Sequence, residues 1–266
     1  MNNTDATVTC VDNLITQSSL LRPLFEKTLI STPSKEDPEI GISLNAKDKD
    51  TSIFLASCGK KEYSLRDYSG DASKNAHFAI KLTDTKISRS YQRNLLLSSD
   101  LLETQLMDMT ERLIVEFCSN EDSIFFNTLY DIKHLINPSR VHLTPENIVK
   151  VSKAIVDRTQ TAPTRAYLFT NTEAEDNCNL LSMVASYLPE STRLGQVPIQ
   201  ALGLPLDASV LMVFPEPIAM GYLYCSKLPA LVTTKVHSVG GDTTVFILQD
   251  NSFMVIPDIK VIGLLC

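Results

Sequence analysis

Apolar side chains recur at helical spacing in the middle of the chain. They follow one another at steps of four, three, four and four residues, which places them on one face of an α-helix. These residues are Leu102, Leu106, Met109, Leu113 and Phe117. Asp100 as N-cap and Glu103 three residues later complete a capping box. The pattern therefore predicts a helix from 100 to about 129, which is about 45 Å long at 1.5 Å per residue.

Two shorter helices and a strand are predicted after this long helix. Thr144 is a good N-cap and precedes a proline, which is favoured at the first helical position. The apolar run at 166–169 predicts a strand. Thr172 and Glu175 form a second capping box, so a third helix is expected to start there and to end before Pro189.

The last third of the chain is rich in β-branched and aromatic residues and predicts a series of strands. The candidate strands are 199–202, 210–214, 221–225, 231–239, 244–249, 253–256 and 260–264. Gly240, Gly241 and Asp242 lie between two β-branched runs, which is the pattern of a hairpin turn. Helices in the middle and strands at the end together indicate an α+β fold.

The first 92 residues have a different character. Residues 1–40 predict an extended arm with a short helical start at about 14–27, because Pro33 and Pro38 exclude a helix from the mixed-charge stretch between them. Residues 41–92 contain short β-type runs around a polar middle, 58–75, that has little to bury. A loop of this length is uncommon inside a compact domain, so it is either disordered or lies against something outside its own domain.

Composition excludes several classes of protein. The chain has 266 residues, of which 44% are apolar, so it is long and apolar enough to bury a core. The formal net charge of −7 disfavours a general nucleic-acid binder, which needs a basic surface. No apolar run reaches the roughly 18–20 residues that span a bilayer, so no membrane contact is expected. The N-terminus does not have the pattern of a signal peptide.

Candidate catalytic chemistry is not apparent in the sequence. The six cysteines and four histidines are scattered, without the spacing of a zinc site, and scattered thiols suggest a reducing compartment. Phosphate-binding glycine loops and the GxSxG nucleophile motif do not occur. The adjacent Glu121 and Asp122 are interpreted as a helix cap or a solvated face. We therefore expect no catalytic residues, no metal, no cofactor and no enzymatic activity.

The arm and the polar loop indicate an assembly protein. Each residue fixed on ordering loses roughly 1–2 kcal/mol of backbone entropy, which segments without buried side chains do not recover alone. Contacts supplied by neighbouring copies would compensate for this cost. The sequence thus predicts a protein whose stability depends on other copies of itself.

The order of these elements resembles that of the major capsid protein of tailed bacteriophages, the Hong Kong 97-type fold, which encapsulins share. FAIKL at 78–82 and KISRSY at 86–91 are similar to the returning strand of the family's extended loop. LLLSSDLLE at 95–103 is similar to the start of the spine helix, and NEDSIFFN at 120–127 to the acidic segment that closes it. LGLPL at 202–206 is similar to the Gly-hydrophobic-Pro strand of the family.

The resemblance implies a fold and a division of the chain. It implies an α+β Hong Kong 97-type capsid fold with an N-terminal arm at 1–40 and an extended, E-loop-like β-hairpin at 41–92. The peripheral domain with the spine helix would comprise 93–140 and 228–266, and the axial domain 141–227. The loops at 189–196 would then lie near the axis of a capsomer.

The resemblance also implies a function. The chain would be a structural protein that self-assembles through pentamers and hexamers into the icosahedral shell of a virion, enclosing the double-stranded DNA genome of a tailed bacteriophage. DNA contact would be weak and non-specific. Scaffolding, portal and decoration proteins are further expected partners, and assembly would take place in the host cytoplasm.

Eight residues are the predicted inter-subunit contacts, three in the arm and five in the loop. They are Leu21, Leu24, Phe25, Lys60, Lys61, Tyr63, Arg66 and Tyr68. Two alternative functions stay open. One is an encapsulin-like nanocompartment, which shares the fold and differs in cargo. The other is a cytoplasmic enzyme with an unrecognised site, for example a thiol-dependent one.

Overall fold

The structure is a computed structural model of the chain. It describes residues 6–29, 39–45, 51–57, 62–68, 75–81, 85–92, 99–137, 142–173, 177–238 and 241–266. None of the helices in these ranges is long and apolar enough to cross a bilayer.

Helices and strands both contribute to the fold, which is α+β. The strands are β1 (Ala6–Cys10), β2 (Glu26–Leu29), β3 (Glu39–Asn45), β4 (Thr51–Ser57), β5 (Glu62–Tyr68), β6 (Asn75–Lys81), β7 (Thr85–Gln92), β8 (Arg165–Thr170), β9 (Arg193–Pro198), β10 (Val210–Phe214), β11 (Tyr222–Ser238), β12 (Gly241–Ile256) and β13 (Gly263–Leu265). The helices are α1 (Asp12–Ser18), α2 (Ser99–Asp131), α3 (Lys133–Ile136), α4 (Pro145–Thr159), α5 (Asn177–Tyr187) and α6 (Pro217–Met220). Short 3₁₀ turns lie at Arg22–Leu24, Ile199–Leu202 and Ile259–Val261.

The larger sheet is organised around the long antiparallel hairpin of β11 and β12. Strands β1 and β2 share the outer edge of β11, and strands β7 and β4 share the outer edge of β12. Strand β5 pairs with β4 and forms the end of the sheet. The hairpin predicted near Gly240 and Gly241 is confirmed, since Ser238 pairs with Gly241.

The smaller sheet has the strand order β13-β10-β8-β9. Residues of β8 and β10 alternate between its two faces, as the pleat of a strand requires. Ala166 and Leu168 face a core formed with helices α4 and α5, whereas Tyr167 and Phe169 face the core that contains the end of α2. The smaller sheet is therefore covered by helices on one face and by the rest of the molecule on the other.

Strands β3 and β6 form a separate two-stranded antiparallel sheet. Glu39 pairs with Lys81 and Asn45 with Asn75, so both strands are paired along their whole length. Within the described residues, neither strand pairs with any other strand. Strand β4 follows β3 in the chain and β7 follows β6, and both β4 and β7 pair with β12.

The predictions of the long helix and of the helix after Thr144 are confirmed, whereas the third helix, predicted to start at Thr172, is Asn177–Tyr187 within the described residues. Helix α2 has 33 residues and spans about 50 Å. Of the predicted apolar face, Leu113 and Phe117 are buried. The helix begins at Ser99, so Asp100 lies in its first turn and is not its N-cap. Thr144 caps α4 as predicted, with its side chain accepting from the backbone N–H of Asn147.

Several strand predictions needed correction. The predicted strand at 199–202 is a 3₁₀ turn, and the strand lies earlier, in β9, which overlaps the loops expected at 189–196. Parallel pairing with β8, not local sequence preference, makes β9 extended. The runs 221–225 and 231–239 belong to one strand, β11, and an irregular register between Cys225 and Ala230 accommodates Pro229.

The polar stretch 58–75 is not a continuous loop, since β5 lies inside it and pairs with β4. The predicted arm at 1–40 also needs correction, because the described residues 6–29 pack on their own chain. Strand β1 pairs with β11, and Ile15 of helix α1 belongs to a buried cluster with Phe117. The predicted helical start at 14–27 is the shorter α1 followed by a 3₁₀ turn.

Candidate functional site

Three of the eight predicted inter-subunit contacts lie in the core of their own chain. Leu21 and Leu24 are at most 1% exposed and Phe25 is 5% exposed. The ring of Phe25 meets that of Phe125 edge to face, with 5.9 Å between their centroids. The prediction is wrong for these three residues, because apolar side chains that the sequence placed on an arm are buried by the end of α2.

The other five contacts fall elsewhere. Lys60 and Lys61 lie outside the described residues. Tyr63, Arg66 and Tyr68 lie on β5, the strand that ends the larger sheet. An end strand leaves one row of backbone N–H and C=O groups without a neighbour in its own sheet. For these three residues, contact with another copy stays a prediction.

A buried ion cluster lies where the N-terminal segment crosses α2 and β12. Its central residue is Arg22, which is 4% exposed. Its Nε and Nη2 donate to the two carboxylate oxygens of Glu121 at 3.0 and 2.9 Å. Its Nη2 also donates to Asp250 at 3.0 Å. One guanidinium therefore binds together three segments that are far apart in the sequence.

Polar and aromatic groups complete the surroundings of Arg22. The guanidinium carbon lies 5.4 Å from the centroid of the Phe117 ring, within the range of a cation–π contact. The Ser252 hydroxyl donates to Asp250. Because Arg22 offers several donors in a planar fork, it can bind two carboxylates at once, which a lysine could not do with the same geometry.

Asp122 holds the backbone that leads into Arg22. One of its oxygens accepts from the Ser19 hydroxyl and from the backbone N–H of Leu21, both at 2.9 Å. The other accepts from the backbone N–H of Leu20 at 2.8 Å. Burial raises the pKa of Asp122 above its ordinary value, while these hydrogen bonds and the charge of Arg22 oppose the rise.

The sequence analysis missed this cluster. It interpreted Glu121 and Asp122 as a cap or a solvated face, but the two residues are 6% and 7% exposed. The available signal was an arginine between apolar residues in the segment that contains Leu21 and Leu24. Sequence spacing could not show that its carboxylate partners come from about 100 and about 230 residues further along.

Two buried thiols of the described residues are poorly suited to nucleophilic catalysis. Burial raises the pKa of Cys118 to about 12 and that of Cys225 to about 11. A thiol with such a pKa is protonated at neutral pH and is a poor nucleophile. Cys10, Cys178 and Cys266 are exposed and form no disulfide. Within the described residues, no three histidine, cysteine or acidic side chains are placed to hold a metal ion.

No protein-family model matches the chain, and no curated protein sequence matches it. The chain is similar in structure to solved structures of shell proteins. The virus-like particle of Pyrococcus furiosus is 10% identical, with a TM-score of 0.45 over 96% of this chain and 97% of that chain. The encapsulin of Synechococcus elongatus is 10% identical, with a TM-score of 0.49 over 95% and 88%. The capsid of Myoviridae phage XM1 is 7% identical, with a TM-score of 0.41 over 97% and 92%.

The first prediction concerns the ion cluster. Replacing Arg22 by methionine would leave the carboxylates of Glu121 and Asp250 buried without their guanidinium, so we expect a loss of about 3–5 kcal/mol in the free energy of unfolding. Urea denaturation of unassembled subunits would measure it. The control is Arg112→Ala, which removes an exposed ion pair with Asp108 and should cost about 0.3–0.5 kcal/mol. Equal losses in the two variants would contradict the account.

The second prediction concerns pH. Because the pKa of Asp122 is raised, the native state binds more protons than the unfolded state between 3.8, its ordinary value, and the raised value. The wild type therefore loses stability as the pH rises through this window, and Asp122→Asn does not share that loss. We therefore expect the free energy of unfolding of Asp122→Asn to rise relative to that of the wild type between pH 4 and pH 7, as measured by urea titrations. Asp108→Asn is the matched control. A difference in the free energy of unfolding between wild type and Asp122→Asn that stays constant over this pH range would contradict the prediction.

Proposed function

We propose that this protein is a shell subunit that self-assembles into a closed icosahedral particle. The observation that carries the proposal is the two-stranded ribbon of β3 and β6. Its strands pair with each other and, within the described residues, with nothing else. The two strands provide little burial for each other, so further contacts are needed to stabilise the ribbon.

The energetics of small sheets support this reading. An isolated pair of strands is marginally stable in water, and three or more strands or a packed helix are needed for independent stability. Strand β5, at the end of the larger sheet, likewise pairs with one strand, β4. Neighbouring copies that cover the ribbon and the end strand would supply the missing burial.

The remainder of the chain is suited to act as a rigid frame. Helix α2 is held against the larger sheet by the ion cluster and against the smaller sheet by aromatic packing. Phe126 of α2 lies 5.2 Å from Phe169 of β8, centroid to centroid. A frame of this kind would hold the ribbon in a fixed position. In a repeating shell, every copy has to present its ribbon in the same position.

In detail, we propose a Hong Kong 97-type capsid protein of a tailed bacteriophage. Residues 41–92 would form the extended loop, 93–140 with 228–266 the peripheral domain, and 141–227 the axial domain. Pentamers and hexamers of this chain would enclose double-stranded DNA, with weak non-specific contact because the net charge is −7. Scaffolding, portal and decoration proteins would be further partners, and assembly would occur in the host cytoplasm.

The third prediction tests the role of the loop. Deleting 59–74 removes β5 while leaving α2, the ion cluster and the smaller sheet intact. We expect the full chain to form closed particles visible by electron microscopy, and the deletion variant to remain a folded subunit by circular dichroism that forms none. Closed particles from the deletion variant would contradict the assigned role.

The content of the particles distinguishes a virus shell from a nanocompartment. Mass spectrometry and nuclease protection of particles purified from their natural source would be used. Protected double-stranded DNA with portal or tail proteins supports a phage capsid, whereas a single co-purified cargo enzyme supports an encapsulin-like compartment. A homogeneous monomer with a measurable catalytic turnover would contradict both.

A further inference from the structure

We propose that two surfaces on opposite faces of the smaller sheet bind each other between neighbouring copies. One is a groove between α4 and the end of α5, here called the helical groove. The other is a turn that follows the 3₁₀ turn Ile199–Leu202, here called the Leu206 turn. The inference rests on the proposed function and specifies which residues join one copy to the next.

The helical groove is an apolar surface on the outer side of α4. It has a volume of about 330 Å³. Its lining residues are Val149, Ser152, Lys153, Val156, Tyr187 and Pro189. Val149 is 49% exposed, Val156 38% and Tyr187 46%. Helix α4 already buries Ile148 and Ile155 against the sheet, so these valines form a second apolar face that points away from its own core.

One charge and one buried hydroxyl lie in the helical groove. Lys153 is the charged residue among the lining side chains, and it is in none of the ion pairs found among the described residues. The Ser152 hydroxyl is buried and has no hydrogen-bond partner among the described residues. A fitting occupant is therefore a short apolar segment that carries one negative charge.

The Leu206 turn has this chemistry. The backbone N–H of Ala208 donates to the carbonyl of Pro205 at 3.0 Å, so Leu206 and Asp207 occupy the two central positions of a β-turn. Leu204 and Ala208 on either side pack against the core, which fixes the turn. Leu206 is 53% exposed, and Asp207 beside it is also exposed. The turn presents one leucine and one carboxylate to solvent.

The placement of the two surfaces decides that the contact is between copies. Helices α4 and α5 pack on the face of the sheet that bears Leu168 and Leu211. Leu204 and Ala208 pack against the core of the opposite face, which bears Phe169 and Met212. A turn on one face cannot reach a groove on the other face of the same sheet. Between copies the contact is head to tail, and such contacts close into a ring when the rotation fits.

The test is an exchange of charges between Lys153 and Asp207. Lys153→Asp and Asp207→Lys each place like charges against each other, and like-charge contacts in an interface cost several kcal/mol. We expect each single variant to yield at least about tenfold fewer particles by electron microscopy and sedimentation, since a tenfold change corresponds to only about 1.4 kcal/mol. The double variant restores opposite charges and should recover particles.

The outcomes separate the contact from the proposed function. Lys150→Asp makes the same charge change on α4 outside the groove lining and should assemble like the wild type. Normal assembly of both single variants, failure of the double variant to recover, or equal failure of Lys150→Asp would overturn the contact while leaving the shell function intact. Absence of particles from the wild type would overturn the proposed function itself.

Discussion

The structure depends on one buried guanidinium that holds three distant parts of the chain together. Arg22 binds Glu121 on α2 and Asp250 on β12, and both ion pairs are almost completely excluded from water. In such surroundings an electrostatic interaction is strong, and an unpaired charge is correspondingly costly. The N-terminal segment, the long helix and the central hairpin therefore keep one mutual arrangement.

This constraint explains why the N-terminal segment is part of the frame. Once Asp122 and Glu121 hold residues 19–22, the adjacent apolar side chains are placed against the end of α2. The Tyr167 hydroxyl donates to the carbonyl of Leu20 at 2.7 Å, which ties the same segment to the smaller sheet. Both sheets are thus attached to one short stretch of chain, residues 19–22.

Local patterns in the sequence predicted the elements whose determinants are local. Helix α2 followed from its apolar spacing, and α4 from Thr144 and Pro145. Strand β9 did not, since it is extended because it pairs with β8. The ion cluster was missed for the same reason. The carboxylates that bind Arg22 are brought to it by the tertiary fold, which the sequence does not show. Without these contacts, Leu21, Leu24 and Phe25 were interpreted as arm residues that contact another subunit.

The predicted assembly contacts fall into two groups, one in the N-terminal segment and one in the loop region. Side chains on the N-terminal segment are satisfied within the chain, whereas β3, β5 and β6 have few partners of their own in the described structure. The sequence analysis predicts that the polar middle at 58–75 has little to bury, because that property can be read from composition. It could not recognise the helical groove, whose walls come from two helices and whose proposed occupant lies on the opposite face of the sheet.

Hydrogen exchange measured by mass spectrometry on unassembled subunits and on assembled particles tests the central claim most directly. The account predicts that the amides of 39–45 and 75–81 exchange quickly in the unassembled subunit and become strongly protected in the particle. The amides of 113–129, beside the ion cluster, should be protected in both states. Strong protection of the ribbon in the isolated subunit, unchanged on assembly, would contradict the claim that neighbouring copies stabilise it.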